Sequence, residues 1–472
     1  MSTKPVNLSI REKLGYGLGD TASNLYFQFF NLFLFYYYTD VFGLDPAAIG
    51  TMYLVANLWD AVNDPMMGAI ADRVQTSKGK YRPFLLWFAV PYGLLGYALF
   101  ANPELGDTGK LAYAYVTFIA FKMVYTAINV PYSALMGVIS PHETDRMALS
   151  TYRFVGAFGG GFLISLMVRP LVKLFGGEDE VVGFQMTMAL FGVASVVMFL
   201  ITYATTRERV KPQISKGISI RKDLALLGRN LPWLIMIGAA VCTLANVAVR
   251  GAVTVHYFKY YVGDSGDPVF SIGREDSPLY LAFDITTIFM SSGMLAFVVG
   301  VLFTGLVGRT FGKRNALVLL TFLNAATVLG FYFIPPEATS LMFSVNILAN
   351  LLAGPTPALV WALYTDVADY GEWKFGRRAT GLVFSAAMFA QKTGLTIGGA
   401  AAGWMLAAWG FVANQEQSPE TLNGIRLMFS IIPGALATLN GFILLFYPLS
   451  AARTEQMHRE LETIRKDQED SS

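Results

Sequence analysis

Long apolar blocks alternate with short polar connectors along almost the whole chain. Twelve blocks can be read, at roughly 15–43, 46–71, 84–102, 110–140, 150–175, 183–205, 232–262, 283–307, 315–334, 337–368, 380–410 and 425–449. About 20 apolar residues cross a bilayer core of roughly 30 Å. Each block therefore predicts a membrane-spanning helix, and several are long enough to tilt or to project into the aqueous phase. An even number of spans puts both termini on one side. The N-terminus, the connectors after even-numbered blocks and the C-terminal tail hold 25 of the 35 Lys and Arg; the alternate connectors hold five (Lys110, Lys173, Lys259, Arg274 and Arg426). By the positive-inside rule the termini are cytoplasmic.

The longest connector carries seven basic residues between Arg207 and Arg229 and splits the blocks six and six. The expected organisation is a six-helix half at 1–205, a cytoplasmic linker at 206–231, a second half at 232–450 and a cytoplasmic tail at 451–472. The halves echo one another. Phe35-Tyr-Tyr-Tyr-Thr-Asp-Val-Phe-Gly43 ends the first block and Val255-His-Tyr-Phe-Lys-Tyr-Tyr-Val-Gly263 ends the seventh. Pro131 in block four is matched by Pro355 and Pro357 in block ten. The predicted fold is an all-α membrane protein of twelve transmembrane helices in two pseudo-symmetric halves. Many secondary transporters are built so, with the substrate near the midplane; a channel of the same size has the same periodicity.

Composition identifies the solvent. Of 472 residues 54% are hydrophobic and 14% charged, against roughly 25% charged in soluble domains. A soluble enzyme, a disordered chain and a nucleic-acid binder are thereby disfavoured, and a net charge of +2 points to no polyanionic partner. The lone Cys242 forms no intrachain disulfide. Met1 to Lys13 lacks a secretory h-region and cleavage site, so the first span is expected to do its own targeting. Neither zinc spacing, a phosphate loop nor a nucleophile elbow occurs, so no enzymatic activity and no cofactor are expected.

Ionisable residues inside a span cost roughly 2.5–3.5 kcal/mol and are functional candidates by default. Asp60 and Asp64 in Trp59-Asp-Ala-Val-Asn-Asp-Pro65 are four apart and share a helix face. Stacked carboxylates need a cation or a shared proton between them, so Na⁺ or H⁺ is expected there. Lys122, Tyr125 and Asn129, with Thr126, place a polar stripe on block four. Lys122 could pair with Asp60 or Asp64 and take the place of a sodium ion. Arg153, Arg250 and Lys392 are intramembrane cations that could donate to sugar hydroxyls or a carboxylate. Arg169 reads as snorkelling outward, and Tyr36, Tyr37 and Tyr38 as an interfacial belt. Tyr26 and Trp361 lie deeper and could stack on a sugar ring. Asp72, Arg73, Lys80 and Arg82 in one connector, and Asp366, Asp369, Glu372 and Arg377 after block ten, read as matching ionic gates. Gly156, Gly159, Gly160 and Gly161 read as close helix packing.

The chain resembles the melibiose permease-like glycoside–pentoside–hexuronide:cation symporter family of the major facilitator superfamily, from about Lys13 to Tyr447. The resemblance rests on Phe35-Tyr-Tyr-Tyr-Thr-Asp40, Trp59-Asp-Ala-Val-Asn-Asp-Pro65, Gly79-Lys-Tyr-Arg-Pro83 and Asp366-Val-Ala-Asp-Tyr-Gly-Glu372. It implies sugar uptake coupled to Na⁺ or H⁺ by alternating access, in a bacterial cytoplasmic membrane, by a protein that works as a monomer. It also implies a cation site at Asp60, Asp64, Thr126 and Asn63, and a sugar site with Arg153, Tyr125 and Lys392. Members that carry melibiose have acidic residues where this chain has Asn24 and Asn129, and a tryptophan at Ser133. Both asparagines stay in the expected substrate set, and Asn129 in the cation set, but melibiose itself becomes doubtful. With fewer carboxylates beside Arg250 and Lys392, a uronide or a neutral pentoside fits better. A lysolipid carrier on the same fold and a non-transporting membrane sensor stay open.

Overall fold

The computed structural model describes residues 8–140, 142–210, 227–274, 277, 279–376 and 380–470. Most of the basic linker, and Arg377 of the expected gate, lie outside the described residues. The chain clusters into two compact units. The first comprises Met1–Ile214, Phe258–Ser291 and Leu406–Gln417; the second comprises Ser215–Tyr257, Ser292–Met405 and Ser418–Ser472. The units thus cut across the expected halves in two places, where polar contacts tie Phe258–Ser291 and Leu406–Gln417 to the first unit.

In the first unit run α1 (Ile10–Leu32), α2 (Pro46–Arg73), α3 (Arg82–Ala98), α4 (Asp107–Ile139), α5 (Glu143–Gly176) and α6 (Glu180–Thr205). A two-stranded antiparallel hairpin, Phe270–Ile272 with Leu281–Phe283, belongs to it as well. Among the described residues follow α7 (Leu231–His256), α8 (Ile285–Leu302), α9 (Thr304–Phe311), α10 (Lys313–Gly330), α11 (Thr339–Ala353), α12 (Thr356–Phe375), α13 (Thr380–Ala408), α14 (Pro419–Phe429), α15 (Ile431–Leu445) and α16 (Ala451–Asp470). Eight helical stretches among the described residues are long and apolar enough to cross a membrane. Helices α1 and α2 fall outside that set because Asp20, Ser23, Asn24, Asp60, Asn63 and Asp64 dilute them.

Helix starts follow local capping chemistry. Ser9 accepts from the Glu12 N–H, Asp45 from Ala48 ahead of Pro46, and Asn230 from Trp233, each satisfying an N–H that the first turn leaves unpaired. The internal echo is structural too. Tyr37–Val41 and Tyr257–Val262 are both π-helical turns, closed by Gly43 and Gly263, each with φ of 81°. A side chain with Cβ rarely adopts that φ.

Two expectations about aromatics are corrected. Tyr36, Tyr37 and Tyr38 are buried, with at most 2% exposure, so they form no interfacial belt. Tyr37 donates to the Phe100 carbonyl at 3.0 Å and Tyr36 to Glu180 at 2.9 Å; the π-turn carries them inward. Tyr26 is also fully buried, its ring among Phe30, Tyr92 and Phe121 and its hydroxyl on the Met188 carbonyl at 3.2 Å. Its polar end is spent on helix packing, which withdraws it from the expected sugar site.

Close approach of α1 and α5 sets the site. A Cβ on Gly156 would lie 2.4 Å from the Gly17 carbonyl oxygen, and one on Gly160 3.1 Å from that of Thr21. Gly159, on the same helix, has nothing within 4 Å. Gly156→Leu is expected to destabilise the protein by about 1–3 kcal/mol or more through overpacking, while Gly159→Leu stays near the parent. Thermal unfolding of both variants in detergent checks this, and equal melting temperatures would count against the packing account.

Candidate functional site

The polar residues of α1, α2, α4 and α5 converge inside the first unit. On α2, Asp60 is 5% exposed, and Asn63 is buried beside it. The Lys122 ammonium, from α4, lies 2.7 Å from Asp60 Oδ2 and also donates to Asn57 Oδ1. Asp64 Oδ1 accepts from the Thr126 hydroxyl at 2.9 Å. The i, i+4 stacking of the two carboxylates on α2 is thus answered by Lys122 and Thr126, on two successive turns of α4. Asp60 Oδ1 and Asn63 Nδ2 are buried with no hydrogen-bond partner.

A second charge pair was not anticipated. Asp20 of α1 lies 3.4 Å from Arg153 Nε of α5. Arg153 also donates to Ser133 Oγ at 3.4 Å and lies 5.3 Å over the Tyr132 ring. Asn24, one turn on from Asp20, donates to the Asp20 backbone carbonyl at 2.9 Å. Asn129 accepts from the Ser23 hydroxyl at 2.8 Å and donates to the Tyr125 carbonyl at 3.0 Å. Tyr125 lies within electrostatic range of Asp20, Arg153, Asp60 and Asp64. Tyr132 and Tyr16 stack at 4.8 Å and exchange hydroxyl-to-carbonyl hydrogen bonds, closing the layer on one side.

In the second unit the Trp361 ring stacks on Phe384 at 5.5 Å, and Lys392 sits mid-way along α13. The Arg250 guanidinium is clamped between Phe331 and Phe429, at 4.7 and 4.6 Å. One of its nitrogens, Nη2, is buried without a hydrogen-bond partner. Cation–π contact supplies part of what a carboxylate would.

The expected gate residues form pairs within each unit. Lys80 lies 2.9 Å from Asp72. Burial opposes charge on the Lys80 ammonium, but hydrogen bonding to Asp72 and Tyr81 prevails and raises its pKa. Arg82 donates to the Tyr203 carbonyl at 2.7 Å, whereas Arg73 is exposed. Glu208, which sequence reasoning passed over, accepts from the backbone N–H groups of Lys80, Tyr81 and Arg82 at 2.7–2.9 Å. A carboxylate there satisfies the unpaired donors at the start of α3. In the second unit Asp366 binds Lys313 at 2.5 Å, and Asp369 lies 3.5 Å from His458 of α16. Glu372 sits on the same α12 terminus.

A further cluster occupies the ends of α1 and α5 remote from the Asp72 loop. Asp40 accepts from Lys259 at 2.9 Å and from the Tyr260 hydroxyl, and Asn414 Nδ2 donates to the Asp40 backbone carbonyl at 2.7 Å. Arg169 lies 2.5 Å from Asp284 and 3.8 Å from Asp264. The expected snorkelling of Arg169 is therefore corrected: its charge is answered inside the protein. Asp40, Arg169, Lys259, Asp264 and Asn414 line an open hollow of about 1000 Å³.

Known proteins place this arrangement. The model of the MFS/sugar transport protein family matches residues 15–273 and 279–451, and the chain belongs to that family. A candidate glycoside/cation symporter of Escherichia coli (strain K12), YagG, is 38% identical over 456 residues, covering 96% of this chain and 95% of that one. The isoprimeverose transporter of Lactiplantibacillus pentosus is 33% identical over 468 residues, covering 97% and 94%. A solved bacterial homologue of the human lysosomal transporter Spinster, inward-facing and unoccupied, shares the fold with a TM-score of 0.66 at 14% identity, covering 95% of this chain and 100% of that one. The protein is accordingly an integral membrane transporter of the sugar-transport family and not an enzyme.

Neutralising Asp20 leaves Arg153 without its carboxylate. Because the guanidinium is 28% exposed, the expected cost of Asp20→Asn is roughly 1–3 kcal/mol, below the 3–5 kcal/mol of a fully buried pair. Asp20→Asn/Arg153→Gln should recover most of it. Thermal unfolding of the two singles and the double closes the cycle; a double that simply sums the singles would mean the pair is not coupled.

Proposed function

We propose that this transporter is a cation-coupled sugar symporter that imports a glycoside, pentoside or hexuronide by alternating access, with H⁺ or Na⁺ as the coupling ion. The observation that carries the reading is the single polar layer joining the Asp60/Asp64 carboxylates, through Tyr125, to the Asp20–Arg153 pair. Coupling requires that a cation at the α2 carboxylates alter the sugar site, and that the empty and doubly loaded forms interconvert more readily than singly loaded ones. A shared tyrosine between the two sets is a short route for that. Asn24, Tyr125, Asn129 and Arg153 would contact the sugar.

The pairing also bears on substrate class. Asp20 already answers the charge of Arg153, so the first-half site asks for hydroxyls more than for a carboxylate. That favours a neutral glycoside or pentoside over a hexuronide, in keeping with the isoprimeverose transporter's place among the relatives. The full architecture in this reading is twelve transmembrane helices with both termini cytoplasmic, in a bacterial inner membrane, working as a monomer. The Asp72–Lys80 and Asp366–Lys313 pairs then sit on the cytoplasmic side as gates, and the Asp40–Lys259 cluster on the outer side.

Two measurements test the proposal. In membrane vesicles, sugar-driven H⁺ or Na⁺ flux should fall to background in Asp64→Asn; flux equal to the parent's would remove the α2 carboxylates from coupling. Counterflow against a panel of neutral and acidic saccharides should saturate with neutral glycosides or pentosides. Exchange of uronates alone would reverse the class assignment, and a silent panel with lysolipid exchange would replace sugar by an amphiphile.

A further inference from the structure

The α2 carboxylates invite a hard monovalent cation, and the fit can be examined donor by donor. Such a cation needs a shell of oxygen ligands. The side-chain oxygens on this stretch of α2 are those of Asn57, Asp60, Asn63 and Asp64, with Thr126 of α4 in contact with Asp64. Lys122 takes two of them: its ammonium lies 2.7 Å from Asp60 Oδ2 and donates to Asn57 Oδ1. The Thr126 hydroxyl spends its hydrogen on Asp64 Oδ1. What is left is one buried oxygen of Asp60 with no hydrogen-bond partner, the amide oxygen of Asn63 and the outward lone pairs of Thr126. That remainder is short of a sodium shell and lies beside a fixed positive charge.

We propose that the Lys122 ammonium is the resident cation of this site and excludes Na⁺ from it, so that Lys122 is the residue that sets ion selectivity. A lysine ammonium and Na⁺ carry the same charge, and the ammonium's three N–H donors use the same oxygens that would ligate the metal. Lys122 is supported in that place by its neighbours. Its charge lies 5.7 Å from the Phe118 ring centroid, and its partner Asn57 is oriented by donating to the Tyr53 carbonyl at 2.7 Å. Removing the ammonium returns Asn57 Oδ1 and Asp60 Oδ2 to the ligand set, and a latent sodium site opens.

The inference rests on the reading of Asp60 and Asp64 as the cation site, and its test is made without sugar so that the two can fail separately. Purified full-length parent, Lys122→Ala and Lys122→Gln are titrated with NaCl against choline chloride at constant ionic strength. ²²Na⁺ binding and melting temperature are both followed. The parent should show no saturable ²²Na⁺ binding and no Na⁺-specific rise in melting temperature. Lys122→Ala, or Lys122→Gln if the alanine variant does not fold, should gain both, and the gain should vanish when Asp60→Asn is added. Saturable Na⁺ binding by the parent overturns the proposal. So does a folded variant of either kind that gains none, or a gain that survives Asp60→Asn. Sugar counterflow by the parent, run separately in choline medium, reports on the symporter reading alone.

Discussion

Leaving a charge unanswered inside a membrane protein is costly, since moving one out of water costs several kcal/mol even after relaxation. That constraint organises the first unit. Asp60 is answered by Lys122, Asp20 by Arg153, Asp40 by Lys259 and Asp284 by Arg169. Each pair joins separate segments of the chain, so satisfying the charges and bringing helices together are one event. The packing follows suit: α1 and α5 approach closely enough at Gly17 and Gly156 that no Cβ fits, and Asp20 reaches Arg153 one turn from that contact.

Such pairs hold a structure but also make it switchable. Breaking one by separating its members leaves both charges stranded, a steep penalty. Replacing one member by a mobile ion or by the hydroxyls of a ligand is far cheaper, because the remaining charge keeps a partner. A transporter that must pass between two states therefore gains from holding its carboxylates in exchangeable pairs. In the proposed cycle the Asp20–Arg153 pair would be answered by a cargo, whereas the Asp40–Lys259 and Arg169–Asp284 pairs tie separate segments of the chain together.

Part of this was legible in the sequence. Asp60, Asp64, Lys122 and Thr126 announce themselves because they interrupt apolar blocks at helical spacing, and a helix face can be read without knowing its neighbours. The repeat at Phe35–Gly43 and Val255–Gly263 was readable as well, and both segments are π-turns ending in a left-handed glycine. Asp20 was missed because it lies near the polar start of its block, where a carboxylate looks like a helix end; only the fold places it against Arg153. Partners 115 residues apart, as Arg169 and Asp284 are, leave no periodic trace. The three tyrosines failed for a different reason: an aromatic run at a span end has the same composition whether it faces lipid or a neighbouring helix, and here the π-turn rotates it inward.

The formal charge of the polar layer sharpens what the site asks for. Asp20, Asp60 and Asp64 contribute three negative charges, and Lys122 and Arg153 two positive ones, which leaves a single negative charge in a low-dielectric setting. An anionic substrate would add to that imbalance, whereas one monovalent cation cancels it. A proton needs one oxygen to do so and Na⁺ needs several, in a layer where Lys122 already holds two. In the proposed symport the charge count and the donor count therefore limit the same choice from different sides: the first fixes how much charge would balance the layer, and the second limits how large an ion could bring it.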